Sequence, residues 1–536
     1  MLGSNFLKKL KPITSHNYFL AFLAGSFMAL SFAPFYIFIA PAISLSVFYF
    51  LLEKNYTKKR EIFYLGFAFG YGHFLFTIYW ISISLLVDAA SFAWLIPFAL
   101  TLIPGALAAY FGLFALGYKL LLKRFAFKET YQKIIIFALC FFVMEFLRSN
   151  LFSGFPWALL GYVWMFNLKF AQIGSIFGIY GLSIFAVLCS LIPVIFYKKT
   201  SSFSDKIFTI ILSLFLIGNF LFGNFYIDDK KLIKQDDIKI RLVQANVAQE
   251  LKWNGEERFR NFIKHIAMTN SQNPAGLKAV IWSESSIPYV LNESPQLMQY
   301  IEAGVPENGV IISGALRMKE NNKPNEIDVY NSVFVLNKTG INNYYDKHHL
   351  VPFGEYVPLH QLLSFLFLGK IVDGITGGGK GFSSGEKAQT LALEDFSFSP
   401  LVCYEAIFSN EVIDKNNLPD VFINLTNDAW FGNSSGPFQH FDMARMRAIE
   451  YGIPLIRVAN NGITAFIDPF GKIIKSLPRN QMAIADITLI KNSESTIYTS
   501  FGSLPTALLI LILLVIILIK MPTKNQKQNA KTNHTN

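Results

Sequence analysis

The sequence predicts a polytopic α-helical membrane bundle joined to an extracytoplasmic α/β domain. Three observations carry this. Apolar runs of about 20 residues, the length a helix needs to span hydrocarbon, fill the first 227 positions and recur near the C-terminus. Lys and Arg gather in alternate loops between those runs. Between about 228 and 500 the texture changes to short strand-like runs interleaved with amphipathic helices. Composition agrees: 52% of the 536 residues are hydrophobic, 54 are Phe and only 15% are charged, too apolar for an ordinary soluble protein.

Seven candidate spans come first, at about 17–33, 35–52, 62–84, 91–121, 132–147, 170–196 and 206–226. "SFA" at 31–33 has the look of a signal-peptide cleavage site, but Pro34 follows at once and a second apolar run begins without a polar gap. The pair is therefore expected to be a retained helical hairpin. Lys8/Lys9/Lys11, Lys54/Lys58/Lys59/Arg60, Lys119/Lys123/Arg124/Lys128/Lys133 and Lys198/Lys199/Lys206 fall in alternate loops, whereas the intervening loops hold chiefly Arg148 and Lys169. The positive-inside rule then puts the N-terminus in the cytoplasm and residue 227 outside. "TALLILILLVIILIK" (506–520) returns the chain, and Lys520, Lys524, Lys527 and Lys531 suit a cytoplasmic tail. The expected domains are 1–227, 228–500 and 501–536.

The net charge of +11 thus marks membrane topology, and no recognition motif accompanies it, so nucleic acid is not an expected partner. Inside the spans the main ionisable residues are His73 and Glu145, near Arg148. A transporter would line a pathway with such groups, which disfavours transport.

In the middle region, "IKIRLVQANV" (238–247) alternates apolar and polar residues at period two. "EERFRNFIKHIAM" (256–268) puts Phe259, Phe262, Ile263 and Ile266 on one helical face. "AVIWSE", "GVIISGA", "VYNSVFVLN", "FSPLVCYE", "DVFINLTND" and "PLIRVANNG" read as further strands, and 463–477 as a hairpin turning at Asp468-Pro469-Phe470-Gly471.

Two motifs fail. "GITGGGKG" (374–381) has the spacing of a phosphate-binding loop, but Gly381 stands where magnesium binding needs Ser or Thr. Of eight His only His348 and His349 cluster, and no ligand set for a metal exists, so neither metal nor cofactor is expected. The three cysteines allow no disulfide framework. Cys140 and Cys189 read as small packing residues in apolar helices.

Cys403 differs. In "SPLVCYEAIF" (399–408) it ends a strand, and "EAIFSNEVI" is expected to continue as a helix. A thiol at such a turn is either a nucleophile served by the N–H groups that follow or a buried structural Cys. Glu284 ends the strand "AVIWSE", as a functional carboxylate or a rim charge. Lys347 stands eight residues before Glu355 in a Pro/Gly-punctuated loop, where lysines are usually solvated.

Together, Glu284, Lys347 and Cys403 resemble the Glu–Lys–Cys set of the nitrilase superfamily in order and local context, over about 238–480. The resemblance implies an αββα sandwich with Glu284 as general base, Lys347 as cationic stabiliser and Cys403 as nucleophile. It makes Glu355 a second, positioning glutamate. The N–H of Tyr404 would hold the oxyanion, and Glu405 would order the turn or the incoming amine. Seven helices before this domain and one after, with "SFAPF" (31–35), "GFPWALLGY" (154–162), "VQANVAQELKW" (243–253) and the stretch 427–464, resemble the membrane-embedded apolipoprotein N-acyltransferase family.

That family implies ping-pong transfer from a membrane phospholipid, expected to be phosphatidylethanolamine. The acyl chain passes through a Cys403 thioester to the α-amino group of a diacylglyceryl-apolipoprotein. It also implies a bacterial inner membrane with the catalytic domain on the periplasmic side, and a monomer. Trp253, Asn331 and Trp430 are assigned to substrate binding, though either Trp could equally be core. "LLSFLFLG" (362–369) reads as an arm dipping into the outer leaflet or as a core helix. The alternatives are a membrane-anchored amidase using the same three residues, and a transporter carrying an inert domain.

Overall fold

Glycine, rather than bulk, sets how the first helices meet. A computed structural model describes residues 4–125, 127–197, 202–271, 276–321, 327–358 and 381–519. The apolar run 362–369, the Gly-rich loop up to 380 and the Lys-rich tail from 520 lie outside the described residues. The chain divides into two compact units: Met1–Tyr79, Pro97–Phe225 and Phe501–Asn536 form one, and Trp80–Ile96 with Tyr226–Ser500 form the other.

The first unit is helical: α1 (Ser4–Met28), α2 (Ala40–Glu53), α3 (Lys59–Thr77), α4 (Ile96–Phe125), α5 (Thr130–Asn150), α6 (Gly174–Ser190), α7 (Phe203–Tyr226) and, after the second unit, α10 (Leu504–Ile519). Ala89–Phe125, Thr130–Asn150, Gly174–Tyr197 and Phe203–Tyr226 are long and apolar enough to cross a membrane by length and composition. A methyl group on Gly25 of α1 would collide with the Phe69 carbonyl of α3, and one on Gly72 with the Phe22 carbonyl. Small residues thus let α1 and α3 approach closely.

The charges inside the bundle are structural. Glu145 accepts from the backbone N–H of Leu160 at 2.7 Å, and Arg148 donates to the carbonyls of Phe155 and Trp157 at 2.5 and 2.7 Å. Both hold the loop "GFPWALLGY" onto α5, so neither marks a transport path.

One expected boundary moves. The sequence predicts a span over 62–84, but α3 stops at Thr77 and Trp80 belongs with the second unit, while the span expected at 91–121 lies within Ala89–Phe125. The reason is packing: the Trp80 indole meets the Phe431 ring edge-on at 4.5 Å and donates to Gln439 at 3.3 Å.

The second unit is an αββα sandwich. One sheet runs β13-β1-β2-β4-β5-β6, with β3 (Ile287–Val290) paired to β4. Its strands are β1 (Leu232–Gln244), β2 (Leu277–Ile281), β4 (Val310–Glu320), β5 (Ile327–Asn337), β6 (Gly340–Asp346) and β13 (Ala483–Asn492). The other sheet runs β12-β11-β10-β9-β8-β7. It comprises β7 (Leu391–Ala392), β8 (Ser397–Val402), β9 (Val421–Thr426), β10 (Leu455–Ala459), β11 (Ala465–Ile467) and β12 (Ile473–Ser476).

Period two explains the layers. Val333 and Val335 of β5 face the inter-sheet core with Ile423 and Leu425 of β9 and Ile456 and Val458 of β10. Phe334 and Leu336 face outward under α8 (Gly255–Asn270), where Phe262 and Ile266 cover them. Leu401, Phe422 and Leu455 face the opposite way under Phe441, Ala444 and Ala448 of α9 (Gly436–Tyr451). Each fully buried aliphatic side chain contributes about 1.5–3 kcal/mol.

Candidate active site

Each of the three expected residues follows a strand: Glu284 comes after β2, Lys347 directly after β6 and Cys403 directly after β8. β2 and β8 are buried on both faces, so the core aims the side chains that follow them, whereas β6 is exposed except near its end, where Tyr345 is buried. Two turns are strained. Cys403 has φ 51° and Ser285, beside Glu284, has φ 47°, a left-handed conformation that costs a non-glycine residue about 1–2 kcal/mol. Gly314 of β4 accommodates the first turn: a Cβ there would collide with the Ser285 amide and lie 2.8 Å from the Glu284 Cα.

Lys347 Nζ lies 2.8 Å from Glu355 Oε1 and 4.0 Å from Glu284 Oε1. The Asn331 amide donates to Glu284 Oε1 at 2.9 Å and to Glu355 Oε1 at 3.1 Å. Asn331 thereby bridges two carboxylates that share one ammonium. Burial pushes the Glu284 pKa up, and the Lys347 charge offsets only part of that rise. Burial alone would lower the pKa of Lys347, but the Glu355 and Glu284 carboxylates outweigh it and hold it firmly as an ammonium.

The Cys403 thiol is pushed up to about 12, first by burial and then by the Glu284 charge, against the opposing pull of Lys347 and a hydrogen bond from Thr426. It therefore rests as a thiol at neutral pH. Any reaction at this sulfur would need a base within reach to take its proton.

Glu405 orders the turn. It accepts from the backbone N–H of Val402 at 2.6 Å, the N–H of His348 at 2.8 Å and the Tyr345 hydroxyl at 2.7 Å. His348, drawn up to about 9 against the effect of its own burial by Glu405 and Glu411, completes a clasp between the Lys347 and Cys403 turns. The expected helix after Cys403 is corrected to a short 3-10 turn, Cys403–Ile407, in which Glu405 is held by long-range bonds from His348 and Tyr345 as well as by the Val402 N–H. The ring of Tyr404 packs on Phe408 at 5.1 Å. Trp253 and Trp430 are 45% and 42% exposed, so neither is a core residue.

Sequence reasoning missed four buried residues. Lys252 donates to the Glu284 backbone carbonyl at 2.9 Å and is lowered to about 8, chiefly by burial. Asp428, His440 and Arg457 form a cluster beneath the Cys403 turn. "LKW" (251–253) and the stretch 427–464 were already singled out, but spacing alone gave no role to residues 12 to 29 positions apart.

Among the described residues no group of His, Cys, Asp and Glu is arranged to hold a metal ion. The arrangement sets a carboxylate and an ammonium, 4.0 Å apart, so that both charges act on the Cys403 thiol.

Comparison with known proteins gives a consistent picture. Residues 24–192 match the family model of the apolipoprotein N-acyltransferase N-terminal domain, and residues 239–493 match that of the carbon-nitrogen hydrolases. The apolipoprotein N-acyltransferase of Brucella melitensis is 34% identical over 508 residues, covering 92% of this chain and 93% of its own. That of Rickettsia prowazekii is 36% identical over 497 residues, covering 92% and 96%. Among solved structures, a CN-hydrolase superfamily protein from Xanthomonas campestris is 18% identical, covering 47% of this chain and 89% of its own, with a TM-score of 0.33.

Proposed function

Because the chain belongs to the apolipoprotein N-acyltransferase family, we propose that it acylates lipoproteins by a ping-pong route through Cys403. Its activity is transfer of an acyl chain to the N-terminus of apolipoproteins. In the first half, Cys403 Sγ attacks the ester carbonyl of a phospholipid, with phosphatidylethanolamine the expected donor. Glu284 takes the thiol proton as the C–S bond forms. Lys347 and the N–H of Tyr404 stabilise the oxyanion, and one such donor is worth about 3–4 kcal/mol. The C–O bond then breaks, Glu284 returns the proton to the leaving oxygen, and a lysophospholipid departs.

In the second half, the free α-amine of the diacylglyceryl-cysteine attacks the thioester. Glu284 takes its proton and delivers it to the departing Cys403 sulfur. Asn331 Oδ1 is buried and has no partner among the described residues, which suits it to accept a hydrogen bond from that amine. The alternation of Lys and Arg between loops supports a catalytic unit outside the cytoplasm of a bacterial inner membrane.

The observation that carries the reading is the pairing of Lys347 with Glu284 at 4.0 Å while both charges act on the Cys403 thiol. The test is incubation with phospholipid labelled in its acyl chain, without acceptor. Label should join the protein in a hydroxylamine-sensitive linkage, be absent in Cys403→Ala and form slowly in Glu284→Gln. Labelling that survives loss of Cys403 rejects the route.

A further inference from the structure

His440 lies on α9, wholly buried, and plays no part in the chemistry above. Its Nε2 sits 3.0 Å from the backbone oxygen of Cys403. A carbonyl oxygen only accepts, so Nε2 carries the proton and donates. The other ring nitrogen lies 3.0 Å from Asp428 Oδ1 and 3.2 Å from Arg457 Nη2. Arg457 in turn grips both Asp428 oxygens, at 2.9 and 2.8 Å, and donates to Asn424 Oδ1 at 2.5 Å. The ring is thus held from behind by a buried ion pair, which fixes the direction of its Nε2–H.

We propose that His440 is a positioning residue that aims the Tyr404 N–H at the oxyanion by holding the Cys403 carbonyl. The Cys403 carbonyl and the Tyr404 N–H belong to one planar, trans peptide unit and point in opposite directions. Pinning the oxygen on His440 fixes where the N–H points. That peptide needs pinning, because Cys403 holds φ 51° and a left-handed residue relaxes unless its surroundings over-determine it. A carbonyl needs no buried ion pair merely to be satisfied, since a buried pair stabilises little after desolvation. What the Arg457–Asp428–His440 arrangement adds is a fixed direction. The proposal rests on the thioester route and on Tyr404 as an oxyanion donor.

The test compares two amides at position 440 in the full-length protein. His440→Gln reaches as far as Nε2 and keeps a donor for the Cys403 carbonyl. His440→Asn keeps a polar group beside Asp428 and is too short to reach. With labelled phosphatidylethanolamine, His440→Asn should acylate Cys403 about 10²–10³-fold more slowly, the loss typical of one oxyanion donor. KM should change little, and His440→Gln should recover at least about tenfold of the rate.

Alkylation of Cys403 by iodoacetamide, mapped by peptide mass, passes through no oxyanion. It should stay within about threefold of wild type in both variants. Wild-type acylation by His440→Asn overturns the proposal. So does equal impairment of the Gln and Asn variants, or a parallel loss of acylation and alkylation, which would mean a merely structural role. Labelling that survives Cys403→Ala overturns the thioester route itself and the proposal with it.

Discussion

Asn331 donates to Glu284 Oε1 at 2.9 Å, so a neutral amide shares with Lys347 the task of holding that carboxylate. A carboxylate in the same place would do the reverse. Asn331→Asp puts a third acid beside Glu284 and Glu355, and like charges raise one another's pKa. Burial already raises Glu284, which must be ionised to accept a proton, so acylation falls as pH drops through that raised pKa. In wild type the acid limb of the single-turnover rate should lie above 4.5, the ordinary glutamate value. In Asn331→Asp it should move further toward alkaline pH, with about a tenfold loss of rate below the limb for each unit moved.

Glu355 is the nearer partner of Lys347, at 2.8 Å, and both are largely buried. Glu355→Gln leaves the ammonium to Glu284 alone, and breaking a buried pair costs about 3–5 kcal/mol. The unfolding midpoint in detergent should drop clearly. Adding Lys347→Met should restore part of the stability and none of the activity, because the double variant removes the unpaired charge together with its function.

Gly314 lets β4 pass behind the Glu284 turn. Gly314→Ala must push that turn aside, and a displacement near 1 Å can cost about 10²-fold in rate. The loss should appear chiefly in kcat, since the displaced turn carries Glu284.

The His348–Glu411 clasp should leave a mark on stability against pH. His348 is raised to about 9 from 6.5, so its contribution is complete below 6.5 and lost as pH rises through 9. Glu411 is lowered to about 2 from 4.5, so its contribution is complete above 4.5 and lost as pH falls through 2. The two windows overlap between 4.5 and 6.5. Thermal unfolding should plateau there, and His348→Gln should flatten the fall on the alkaline side.

The strand ends were legible because their chemistry is local. A buried run stops, and a Glu or Cys stands at the stop, as at Glu284 and Cys403; Lys347 in its Pro/Gly-punctuated loop was found by the resemblance. The chain order then linked residues 119 positions apart, which periodicity alone does not do. His440 was not legible. It sits mid-helix among several other polar residues, Gln439, Asp442, Arg445 and Arg447, and its partner atom is a backbone oxygen that no side-chain pattern announces. Lys252 escaped for the same reason, since it too binds a carbonyl, that of Glu284. Trp80 was misassigned because hydropathy does not separate a ring facing lipid from one packed on Phe431. The 3-10 turn after Cys403 looked helical by propensity, which does not register the long-range bonds that the Glu405 side chain accepts from His348 and Tyr345.

The most direct measurement is a chase. Protein labelled at Cys403 is freed of phospholipid and mixed with a diacylglyceryl-cysteine peptide in one turnover. The label should pass wholly to the peptide's α-amine, at a rate that falls in Glu284→Gln. Release of the label only as free fatty acid, or transfer that still requires phospholipid to be present, would contradict a two-step acyl transfer through Cys403.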